Sequence, residues 1–145
     1  MKRLIFSLAF IVSVAAAGSP AFAQQSGNLR IQFQGPGGHS SGAYGRVSAL
    51  HAAARAVILI QKALPAGSYQ ITNLTGGNSV NSIASDGLIE MKLTAGNAAT
   101  YKDLVAAVTK AAADGAAAEN AFRGVKAGDL TSGAPATVRS IVTPF

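Results

Sequence analysis

The chain has 145 residues, 49% of them hydrophobic and 12% charged, with a formal net charge of +6 and no cysteine. The absence of cysteine excludes a disulfide framework and any thiolate metal site. The basic residues, among them Arg30, Arg46, Arg55, Lys62 and Lys92, are scattered rather than clustered, so the positive balance reads as solubility charge and predicts no nucleic-acid partner.

The first segment has three parts. Met1-Lys2-Arg3 is a short basic start, Leu4 to Ala17 is an apolar run with two serines, and Ala21-Phe22-Ala23 is an Ala-x-Ala pattern before Gln24. That is the layout of a secretory signal peptide over residues 1–23. The run is shorter than the roughly 20 apolar residues a membrane span needs. The expectation is export, to the periplasm or the medium, with no membrane association after cleavage. Residues 24–27 read as a polar linker, and residues 28–145 suffice for one domain with its own core.

Asn28 to Gln34 alternates, with Leu29, Ile31 and Phe33 on one side, as a half-buried strand does. Gly35-Pro36-Gly37-Gly38 ends it. After Gly45 the period becomes helical: Val47, Leu50, Ala54, Val57, Ile58 and Leu64 recur on one face, with His51, Arg55 and Lys62 opposite. Ser48 is the expected N-cap, and Pro65 and Gly67 stop the helix. Tyr69 to Leu74 predicts a second strand, interrupted by Gly76-Gly77. Leu88 to Leu93 predicts a third, with Ile89, Met91 and Leu93 inward.

Asn97 or Thr100 caps a second helix, Asp103 standing three residues after Thr100 as in a capping box. Tyr101, Leu104, Val105, Val108 and Ala112 form its apolar stripe, and Asp114-Gly115 predicts a break. Leu130 to Pro135 reads as loop and Ala136 to Val142 as a last strand. The order strand, helix, strand, strand, helix, strand predicts an α+β, ferredoxin-like βαββαβ sandwich: a four-stranded antiparallel sheet with both helices on one face.

Two glycine-rich loops flank the first helix, Gly35 to Gly45 and Gly76 to Ile83, and they hold the polar side chains best placed to act on a ligand. A metal centre needs three or four converging ligands; with two histidines, His39 and His51, and no acidic cluster, none is expected. His51 reads as a surface residue. A hydrolytic triad lacks its parts, because His39 is adjacent to Ser40 and no Gly-x-Ser-x-Gly elbow is present. The glycine run is a partial phosphate-loop match without a following Gly-Lys-Ser/Thr.

The segment Phe33 to Gly45, containing Gly37-Gly38-His39-Ser40-Ser41-Gly42, followed by Gly76-Gly77-Asn78-Ser79-Val80-Asn81-Ser82-Ile83-Ala84, resembles the dimerisation or lid domain of the aminoacylase and carboxypeptidase-G-like zinc peptidases, metallopeptidase family twenty. The resemblance covers about Asn28 to Val142. It implies a ferredoxin-like lid in which the loop histidine, here His39, reaches into a partner's zinc site to help bind the substrate carbonyl and its oxyanion. It also implies a substrate-binding asparagine, here Asn78 or Asn81. The family's Pro-Asp and strand-end arginine are replaced by Ala84, Ser85 and Thr94, and its zinc ligands and catalytic glutamate have no counterpart.

The expectation is therefore a non-catalytic module, with no cofactor or metal, acting by self-association as a homodimer or by partner binding. A complementing subunit lending His39 to a separate zinc peptidase catalytic domain is one alternative. A small-ligand-binding ferredoxin-like protein using the two glycine loops is another.

Overall fold

In the computed structural model, which describes residues 23–145, the alternation of Leu29, Ile31 and Phe33 becomes strand β1, Gln25–Gln34. The expected signal peptide, apart from Ala23, lies outside the described residues. The chain continues through β2 (Gly38–His39), a single turn α1 (Ser40–Ala43), helix α2 (Ala49–Ala63), β3 (Tyr69–Thr75), β4 (Ser82–Ile83), β5 (Asp86–Ala95) and helix α3 (Ala98–Phe122). A small hairpin, β6 (Leu130–Thr131) and β7 (Ala134–Pro135), precedes β8 (Arg139–Pro144). The main sheet has the order β3-β5-β1-β8, antiparallel at every pairing, with α2 and α3 packed on one face. This is the ferredoxin-like sandwich that the element order predicts.

The sheet contributes Leu29, Ile31, Phe33, Ile89, Met91 and Leu93 to the core. From the helices come Ala52, Ala53, Ala56, Ile60, Leu104, Val108 and Ala112. The buried face of α2 differs from the expected one. Ala49, Ala52, Ala53, Ala56 and Ile60 point inward, whereas Ala54 and Ile58 are exposed. Alanine is buried here because the two helices approach too closely for larger side chains.

Four further boundaries depart from expectation. Residues 25–27 are strand rather than linker: β5 runs two residues further at each end than expected, and Gln25, Ser26 and Gly27 pair with Ala95, Thr94 and Leu93. Helix α3 begins at Asn97, one of the two expected caps, whose Oδ1 accepts the Thr100 amide at 2.9 Å. It then runs unbroken through Asp114-Gly115. A Cβ on Gly115 would stand 2.8 Å from both Cβ and N of Ala56 and 2.9 Å from the Ala52 carbonyl oxygen. The glycine is therefore where α2 crosses, and packing there outweighs its poor helix propensity. The expected loop 130–135 contains the β6–β7 hairpin.

The last strand starts at Arg139, not Ala136, because the Asn120 carboxamide takes Val138 first. Its Nδ2 donates to the Val138 carbonyl at 2.9 Å and its Oδ1 accepts the Val138 amide at 2.8 Å, occupying both backbone groups a neighbouring strand would use. Among the described residues no helix is long and apolar enough to cross a membrane.

Candidate functional site

The site is built at the end of β1. The Gly35 amide donates to the Ser85 carbonyl at 2.8 Å, and the chain then turns through Gly37 at φ +62° and Gly38 at φ +135°. Side chains avoid that region of backbone space. There is no room for them either, since a Cβ would lie 2.8 Å from Ser85 Cβ at Gly37 and 2.6 Å from Ala43 Cβ at Gly38. The turn lays β2 antiparallel to β4, with Gly38 opposite Ile83 and His39 opposite Ser82. The Ser40 amide adds a bond to the Asn81 carbonyl at 2.9 Å. Two glycine loops that are distant in the chain thus become one site.

His39 is exposed and its ring is held on both sides. Nδ1 lies 2.8 Å from Ser41 Oγ and 3.3 Å from the Ser41 amide, which it caps. Nε2 lies 3.1 Å from Asn81 Nδ2. Asn81 Oδ1 is engaged by the Ser79 hydroxyl, which fixes the amide with Nδ2 facing Nε2.

Of the two candidate asparagines, Asn81 is the one brought to His39. Asn78 instead accepts the Ser82 hydroxyl at 3.3 Å. Of the two serines, Ser41 contacts the ring, whereas Ser40 contributes its backbone amide. An exposed imidazole and carboxamide sharing one hydrogen bond can both turn toward an incoming carbonyl or oxyanion. Among the described residues no three His, Cys, Asp or Glu side chains converge as a metal site would require. His51, expected on the surface, is exposed on α2, its Nδ1 3.8 Å from Glu119 Oε1.

Glu119 was not visible as a key residue from sequence. It is fully buried on α3 and binds across to the start of α2. Its Oε1 accepts the Ser48 amide at 3.2 Å and Arg123 Nε at 3.2 Å, and Oε2 accepts Arg55 Nε at 3.0 Å. Burial pushes this carboxyl up, but the Ser48 amide and the two guanidiniums outweigh it and hold the group below its ordinary value. The Glu119–Arg123 spacing is the one sequence signal for the cluster. The cluster fixes Ser48, and with it the chain that returns from the His39 loop.

Compared with known families, residues 24–120 match the peptidase dimerisation domain. The chain belongs to that family. Among solved structures, the dimerisation domain is similar to an aminobenzoyl-glutamate utilization protein from Klebsiella pneumoniae, with a TM-score of 0.61 and 16% identity over 88% of this chain and 31% of that one. It is similar to a tripeptidase from Staphylococcus aureus, with a TM-score of 0.60 and 17% identity over 83% of this chain and 29% of that one. A hydantoinase/carbamoylase family amidase from Burkholderia ambifaria gives a TM-score of 0.61 and 18% identity over 86% and 28%. At these identities the likeness is one of fold. The chain spans about a third of the length of those structures. No curated protein matches it.

Proposed function

We propose that this peptidase dimerisation domain is exported and works without catalysis of its own, by pairing with a second copy. The observation that carries the reading is the outer edge of β3, which lies beside the outward face of α2. β3 ends one side of the sheet, its seven residues carry no charge and no proline, and Leu74 on it and Ile58 on α2 are exposed. An unpaired strand edge next to exposed apolar side chains favours strand addition by another chain. Export rests on the Lys2-Arg3 start, the apolar run and Ala21-Phe22-Ala23.

One preparation tests both parts. Protein recovered from the exported fraction should show an intact mass beginning at Gln24, and at high micromolar concentration it should sediment as a dimer that Ile58→Asp converts to monomer. A wild-type monomer there, or a mass retaining Met1, would overturn the corresponding part.

The His39–Asn81 pair favours a second reading, in which the module lends His39 to a separate zinc peptidase. Stimulation of such a peptidase by added wild-type protein should disappear with His39→Ala. The variant should fold normally, since exposed loop substitutions alter stability by less than about 0.5 kcal/mol. Equal effects of the two proteins in a mixing assay would remove the case for His39.

A further inference from the structure

Between the start of α2 and the Gly76–Val80 loop lies a groove of about 510 Å³. Arg46, His51 and Arg123 line it, together with the polar side chains of Asn78, Ser79 and Ser82. No Asp or Glu is among its lining residues. The acid beside it is Glu119, which is fully buried and has both oxygens committed to Ser48, Arg55 and Arg123. Arg46 bonds neutral oxygens, the Gly37 carbonyl at 3.3 Å and Ser132 Oγ at 3.3 Å, so its charge has no counter-ion there. Arg123 gives its Nε to Glu119 and lines the groove. Glu119 binds two guanidiniums, Arg55 and Arg123, and Arg46 adds a third positive charge with no carboxylate bonded to it, an excess of positive charge at a concave surface.

We infer that this groove binds a small oxyanion-bearing molecule, a carboxylate or a phosphate, through Arg46 and Arg123. Guanidinium groups present paired N–H donors that match the oxygens of either anion, and such charge-assisted bonds are about twice as strong as neutral ones. The hydroxyl and carboxamide groups opposite would take the rest of the molecule, and the volume falls within the usual range of roughly 300–1,000 Å³ for small-molecule sites. The groove is distinct from the His39 ring but coupled to it. Ser79 lines the groove and also engages Asn81, which holds His39 Nε2. The inference does not depend on pairing between copies.

The test is a titration followed by amide NMR shifts at low ionic strength, using the full mature chain. Inorganic phosphate, succinate and uncharged succinamide are the probes. Saturable shifts at residues 76–82 with phosphate, with succinate or with both, and none with succinamide, are the expected result; which anion binds tighter identifies the chemistry. Arg46→Gln should weaken binding about tenfold or more with an unchanged melting temperature, because Arg46 bonds only loop oxygens. Arg139→Gln, at the far edge of the sheet and paired with Gln34, should leave binding unchanged. Arg123 also holds Glu119, so Arg46→Gln is the deciding variant. Absence of saturation with both anions, equal binding of succinamide, or unaltered affinity in Arg46→Gln would each overturn the inference.

Discussion

Replacing Glu119 with alanine should destabilise the domain by about 3–5 kcal/mol, the usual cost of removing one partner from a buried ion cluster. The size follows from what is left behind. Arg55 and Arg123 would face each other across an emptied buried position, both still stacked on the ring of Phe122 at 4.9 and 5.0 Å, and the Ser48 amide would lose its acceptor. Glu119→Gln keeps the shape and an acceptor oxygen but removes the charge, so it should cost less.

The two variants also make a test against pH. Because the folded-state value of Glu119 lies below its ordinary 4.5, the unfolded chain takes up the proton first. The stabilisation is therefore present above the ordinary carboxyl range and is lost as pH falls through the folded value. Chemical denaturation from neutral to acid pH should show the gap between wild type and Glu119→Gln closing at the acid end. A gap that stays constant, or a Glu119→Ala midpoint equal to wild type, would contradict the role assigned to this carboxylate.

Gly115→Ala should lower stability even though it improves the helix. Alanine gains about 1 kcal/mol over glycine in a helix interior, while forcing an added methyl into a full core costs about 1–3 kcal/mol. The second term wins here because two of the atoms in the way are backbone, Ala56 N and the Ala52 oxygen, which cannot rotate aside. Gly115→Val adds more bulk and little propensity, so its loss should reach about 3 kcal/mol. Urea midpoints for the pair decide the point. A stabilised Gly115→Ala would mean that α2 and α3 are not in contact there.

Gly115 also shows why part of the fold was legible in the sequence and part was not. The alternation of Leu29, Ile31 and Phe33 and the Ser48 cap report local geometry, and both appear in the structure as expected. A glycine between Asp114 and Ala116 carries no local mark of the helix that crosses it, so the same residue that signals a break in isolation marks a crossing in the fold. The early start of β1 depends on the length of β5, and the late start of β8 depends on Asn120. Both are set by partners elsewhere in the chain.

At the site, the paired glycine motifs pointed to His39 and to an asparagine. The choice of Asn81 over Asn78 comes from the register of β2 against β4, which no sequence spacing states. Glu119 was out of view because two of its partners, Ser48 and Arg55, lie 71 and 64 residues away.

The two margins of the sheet are not equivalent. β3 offers an uncharged edge free of proline, whereas β8 carries Arg139 and ends in Pro144, residue types that discourage strand addition. A building block with one receptive margin and one blunted margin cannot propagate. When two such blocks join edge to edge about a two-fold axis, each consumes the other's receptive margin and growth ends there. On the proposed pairing, the asymmetry of the sheet would stop assembly at two copies and leave no receptive edge for fibre growth.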